Sequence, residues 1–175
     1  MTLLFLTLAL VGPYAVLTAA GHLLPDARLA PRTRARVGVS LLFLITASGH
    51  FTQPAAMAQM LPPWVPSRVE IIYVTGVLEL LGAIGIWVPR IAKPTGLCLI
   101  LMLVGVFPSN VYAALNRVPY GGHESGPVYL LVRLPFQVML IVWTYKATGQ
   151  RWLQGATSAA ASGERAGRTG ARKAP

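Results

Sequence analysis

EIIYVTGVLELLGAIGIW, residues Glu70 to Trp87, is long and apolar enough to cross a bilayer, yet it carries a carboxylate, Glu79, at its middle. At 1.5 Å rise per residue, Glu79 lies roughly 14 Å from Glu70, close to the midplane of a hydrocarbon core about 30 Å thick. Thr75, Gly76, Gly82 and Ala83 stand at helical spacing around it, while Val74, Val77, Leu78, Leu81 and Ile84 fall on the other side. Small residues let a neighbouring backbone come close, and an ionisable group in hydrocarbon needs a partner there. Glu79 is therefore expected to face other helices. The stretch specifies an all-α membrane bundle with a polar interior site, and it names no reaction.

Composition agrees. Of 175 residues, 54% are hydrophobic and only 11% charged, against about 25% charged in a soluble domain. In water such a chain would expose large apolar patches, so lipid is its expected solvent. The net charge of +10 comes from 15 Lys and Arg against 5 Asp and Glu. That balance alone would suit nucleic acid, but its placement along the chain fits membrane topology instead. The single cysteine, Cys98, excludes an intramolecular disulfide, a CxxC pair and a Cys-rich metal site, and reads as a small packing residue.

Outward from the deciding stretch, four more spans are expected: Thr2–Leu24, Val37–Phe51, Pro94–Leu115 and Val128–Ala147. The first differs from a signal peptide in having no Lys or Arg before it and a longer apolar run; cleavage after Ala19-Ala20-Gly21 is the alternative. Pro25–Arg36 is a short basic loop. Pro54–Leu61 reads as a brief amphipathic turn of helix, and the prolines at 62, 63 and 66 then stop it. Asn116–Pro127 is a polar loop; its His123 and Glu124 alone are too few to hold a metal. Residues 148–175, rich in Ala, Gly, Ser and Arg without an apolar period, read as a disordered basic tail. The domain reading is an extra N-terminal helix (1–24), a four-helix core (37–147) and the tail.

Five alternating spans put the Pro25–Arg36 loop, the Pro89–Lys93 loop and the tail on one side. All 15 Lys and Arg except Arg68, Arg117 and Arg133 lie there. By the positive-inside rule that side is cytoplasmic, so the N-terminus is outside and the C-terminus inside. The lipid bilayer is then the chief partner, with no nucleic acid, and the tail would meet anionic lipid.

This orientation brings the unusual polar residues to similar depths. His50 is near the outer end of its span, and Asn110 and Arg133 each lie roughly 7 Å inside the outer end of theirs. Gln137 is one turn deeper than Arg133, near the depth of Glu79. Buried charges at this depth are costly, so Glu79 and Arg133 are expected to pair. The pair could clamp helices together or serve a ligand or proton site; His50 reads first as a hydrogen-bonding anchor and Asn110 as a cap for carbonyls freed by Pro108. No residue is read as catalytic.

The ordered set SGHF (Ser48–Phe51), LPPWVP (Leu61–Pro66), VTGVLELLGAIG (Val74–Gly85), VFPSNVYAAL (Val106–Leu115) and RLPFQ (Arg133–Gln137) resembles the DoxX-type small bacterial integral membrane proteins. The resemblance covers roughly residues 37–147. It implies a DoxX-like four-helix transmembrane bundle, here with one extra N-terminal transmembrane helix, in the bacterial inner membrane. It also implies an association with membrane redox systems such as thiosulfate:quinone oxidoreductase subunits and thiol-stress complexes. The expected role is an accessory or ligand-binding subunit, with quinone among the ligands and a redox-complex subunit as partner. The chain lacks the paired cysteines of a dithiol mechanism. The alternative is a small transporter or proton-conducting protein using a Glu79/Arg133 site.

Overall fold

The computed structural model describes residues 2–23 and 29–149; the expected disordered tail therefore lies almost wholly outside the described residues. Six α-helices follow one another: α1 (Thr2–Leu23), α2 (Pro31–Thr52), the short α3 (Pro54–Ala58), α4 (Arg68–Gly85), α5 (Ala92–Leu115) and α6 (Leu130–Thr148). A 3-10 stretch, His123–Tyr129, leads into α6 and is broken at Gly126, where φ is 75°. Among the described residues there is no strand. Helices α1, α2, α5 and the run from His123 to Thr148 are long and apolar enough to cross a membrane. Helix α4 has 18 residues, about 27 Å, and carries Arg68, Glu70 and Glu79 within them.

Helix boundaries follow local chemistry. Helix α2 begins at Pro31, six residues before the expected start at Val37, because proline pre-sets the first-turn φ and loses no needed N–H. Arg32, Arg34 and Arg36 are accordingly helical rather than part of a basic loop. The prolines at 62, 63 and 66 separate α3 from α4, as expected. Gly149, at φ 70°, closes α6 in the left-handed conformation that glycine adopts without a Cβ clash.

Packing makes α2, α4, α5 and α6 a ring of antiparallel neighbours. Helix α4 lies between α2 and α5, α6 lies between α5 and α2, and α4 and α6 have no Cα atoms within 8 Å of each other. Helix α1 packs outside the ring, chiefly along α2. The α2–α4 seam is drawn tight by Ser40, whose hydroxyl donates to the Ala83 carbonyl (2.9 Å) and accepts from the Trp87 indole (2.7 Å). Gly82 admits Leu99 of α5, and Gly96 of α5 admits Thr148 of α6. Leu42, Phe43, Ile86, Leu103 and Leu140 fill the interior. On α4 the expected division holds: Gly76, Gly82 and Ala83 are buried, while Val74, Val77, Leu78, Leu81 and Ile84 face outward. Cys98 corrects an expectation. It is exposed on the outer face of α5 rather than packed inside, since Leu99, its neighbour, takes the inward position.

Candidate functional site

The polar residues collect at the end of the ring where α2 finishes and α4 begins. His50, on the last turn of α2, is buried. A side chain at position 76 of α4 would push into it: a Cβ there would lie 2.6 Å from the His50 Cβ. Glycine at that point lets the imidazole lie on the α4 backbone, where Nδ1 is 2.8 Å from the Ile72 carbonyl and 3.1 Å from the Thr75 hydroxyl. A carbonyl only accepts, so Nδ1 carries the hydrogen and donates to Ile72. The opposite ring nitrogen, Nε2, faces Glu79 Oε1 at 3.6 Å. At that separation the imidazole and the carboxyl face each other across the seam without a direct hydrogen bond. The other carboxylate oxygen accepts from the Thr46 hydroxyl at 2.6 Å. Thr46, Glu79 and His50, backed by Thr75, form one continuous polar chain across the α2–α4 seam.

The second group spans the α5–α6 seam. Asn110 is buried, donates from Nδ2 to the Val106 carbonyl (3.0 Å) and accepts at Oδ1 from the Arg133 Nε (3.1 Å). Its amide thus serves the neighbouring carbonyl rather than that of Val104, which Pro108 frees. Gln137 is buried and donates to the Leu103 carbonyl at 2.6 Å. The Arg133 guanidinium also lies over the Phe136 ring, 5.5 Å from its centre.

The expected Glu79–Arg133 ion pair does not form. Glu79 bonds to α2, Arg133 bonds to α5, and the two helices that carry them stand diagonally across the ring. All five expected site residues therefore line one layered interior, grouped as His50–Glu79 and Asn110–Arg133–Gln137.

Thr46 and His123 join the site beyond the residues read from the sequence, and Thr75, already placed beside Glu79 by spacing, joins it through its contact with His50. Thr46 stands one turn before His50 and Thr75 one turn before Glu79, so the i, i+4 spacing that places a hydroxyl beside each titratable group was available. His123 gave no such signal. The 3-10 stretch buries it against Tyr129, with ring centres 4.6 Å apart, and its Nδ1 donates to the Tyr120 carbonyl at 2.7 Å. Arg133 is close enough to act on it electrostatically.

Three buried polar atoms in this region lack a hydrogen-bonding partner: Arg133 Nη1, Gln137 Oε1 and His123 Nε2. The first is a donor and the second an acceptor. The third is also an acceptor, because the His123 hydrogen is on Nδ1. Each such group costs about 1–3 kcal/mol if left unmade, so this layer is chemically complementary to a molecule that both accepts and donates. Among the described residues, no group of three or more His, Cys, Asp or Glu side chains is placed to hold a metal ion.

A family model, Domain of unknown function (DUF8561), matches residues 39–148. That span begins in α2 and ends with α6, so it contains both polar groups and excludes α1. No curated protein and no solved structure matches the chain.

Proposed function

We propose, from the premise that the chain belongs to the DUF8561 family, an integral membrane protein that binds the polar head of a lipophilic molecule, of the quinone and quinol class, inside the α2–α4–α5–α6 ring. The observation that carries this reading is the trio of unpartnered buried atoms at Arg133, Gln137 and His123. A quinone carbonyl accepts from Arg133 Nη1; a quinol hydroxyl donates in addition to Gln137 Oε1 or His123 Nε2. Within a ring whose outer surface is apolar, the isoprenoid or alkyl tail leaves between helices at little cost. The protein would act as an accessory or ligand-binding subunit of a membrane redox system of the bacterial inner membrane, with a redox partner performing the chemistry. The resemblance to DoxX-type proteins supports that setting.

Five membrane crossings belong to the same proposal, with α4 counted as a span because its charged Glu79 is partnered on the inside. The N-terminus is then outside and the C-terminus cytoplasmic.

The test is binding of a short-chain benzoquinone to the detergent-purified protein, read by quenching of tryptophan fluorescence. Saturable binding that Arg133→Gln weakens about tenfold is expected, equivalent to one hydrogen bond to a charged donor. Equal binding by the wild type and by Arg133→Gln and Gln137→Leu variants would overturn the reading.

A second reading is favoured by one observation of its own, the continuous Thr46–Glu79–His50–Thr75 chain. A chain with a carboxyl and an imidazole facing each other at its middle suits proton conduction. Proton flux into proteoliposomes decides it, and flux unchanged by Glu79→Gln would remove it.

A further inference from the structure

Outside the ring, helices α1, α2 and α6 bound a cavity of about 350 Å³ with Tyr14, Arg32, Ala35, Val142, Trp143 and Lys146 in its wall. It sits at the end of the molecule opposite His50, and its chemistry is ordered along the helix axes. On α6, Lys146 is at the mouth, Trp143 is one turn in, and Met139 lies a further turn inward. On α2, Arg32 is at the mouth and Ala35 one turn in. Each step is about 5 Å. Neither Arg32 nor Lys146 has an acidic partner among the described residues. The indole Nε1 of Trp143 is buried and makes no hydrogen bond, although its ring is held edge-on by Tyr14 at 5.5 Å.

We propose that this groove is a binding site for an anionic phospholipid. Two cations at the mouth suit a phosphate. Trp143, whose indole N–H has no partner, lines the wall one turn below, at the level where the glycerol ester carbonyls follow the phosphate, and the apolar wall of Val142, Met139 and Ala35 stands where an acyl chain follows the esters. A free phosphate would use the mouth but leave the indole and the apolar wall without a role, so the occupant is a lipid. Helix α1 touches α6 only slightly, which leaves the groove open sideways to the hydrocarbon. The same end carries Arg34, which donates to the Thr18 hydroxyl and lies over the Tyr14 ring, and Arg36, which donates to the Ala147 carbonyl. These two fix α1 and α6 to α2 and leave Arg32 and Lys146 for the ligand. The inference shares only the membrane placement with the quinone reading, and lipid retention is measured independently of quinone binding.

The experiment reconstitutes the full chain in bilayer discs of equal phosphatidylglycerol and phosphatidylcholine, then counts the lipids retained on release by native mass spectrometry. Wild type is expected to retain phosphatidylglycerol preferentially, and Arg32→Gln/Lys146→Gln to lower that preference about tenfold. Arg90→Gln, which removes a cation between α4 and α5 at the same end, is expected to leave it unchanged. Trp143→Phe keeps an aromatic ring beside Tyr14 while removing the N–H together with part of the indole, and is expected to lower retention. Excess inorganic phosphate is expected not to displace the lipid. Equal retention of both lipids by wild type overturns the proposal. So does an Arg90→Gln loss as large as that of the double variant, full retention by Trp143→Phe, or displacement by phosphate.

Discussion

At the scale of single residues, the site was legible as a set and illegible as a pairing. His50, Glu79, Asn110, Arg133 and Gln137 all reach the interior, because rise per residue fixes the depth of a side chain once the span ends are known. Depth is one coordinate only. The order of helices around the ring is not written in any single helix's periodicity, and that order puts α4 and α6 on a diagonal. Glu79 therefore takes its partner from α2, at a seam that Gly76 opens, and Arg133 takes Asn110 from α5. Double-mutant cycles in detergent test this exchange of partners. His50→Gln and Glu79→Gln are each expected to lower thermal stability, and their combination should recover part of the loss, with a coupling of about 1 kcal/mol or more. Glu79→Gln and Arg133→Gln share no hydrogen-bond partner, so their effects should add to within about 0.5 kcal/mol. A larger coupling for the second cycle than for the first would show that the diagonal pair, not the seam pair, holds the carboxylate.

Elements were more legible than their contacts. The apolar runs, the proline breaks and the outward face of α4 could all be read from spacing and residue type, because each depends on the chain near it. The early start of α2 and the burial of His123 could not. The first rests on whether Pro31 is used as a helix start, and the second on a 3-10 stretch packed against α5. Glycines separate the two kinds of information. Gly76 and Gly105 are both mid-helix, yet a Cβ at Gly76 would meet His50 while a Cβ at Gly105 would meet nothing within 4 Å. Helix propensity alone favours alanine at both by about 0.5–1 kcal/mol. Gly105→Ala should therefore be neutral or stabilising. Gly76→Ala should destabilise by about 1–3 kcal/mol through the forced movement of the imidazole. Thermal denaturation followed by circular dichroism checks both. Equal melting temperatures for the two variants would mean that α2 and α4 are not in backbone contact at this level.

For the whole molecule, the ring divides its charges between its two ends. Arg32, Arg34, Arg36, Arg90, Lys93 and Lys146 stand where α2 begins, α4 meets α5 and α6 finishes. Arg68 and Arg117 stand at the other end, beside α3 and the 3-10 stretch. The antiparallel order of the helices makes this an arrangement in space and not merely along the chain, and it is this asymmetry, read by the positive-inside rule, that supports the proposed orientation with the first end cytoplasmic. In the proposed orientation the His50–Glu79 and Arg133 layer would face the outer surface, and the lipid groove at Arg32 and Lys146 the inner leaflet, where anionic lipid gives a negative surface potential. Cys98 is the only cysteine, so a Cys98→Ser background leaves the chain free of thiols and a new one can be placed at either end. Gln59→Cys, just after α3, should react with a membrane-impermeant maleimide in intact cells. Arg90→Cys, between α4 and α5, should react only after the membrane is opened. The reverse pattern would invert the orientation. Labelling of both positions in intact cells would mean that α4 does not cross, so that the partnered Glu79 would not be held within a membrane span.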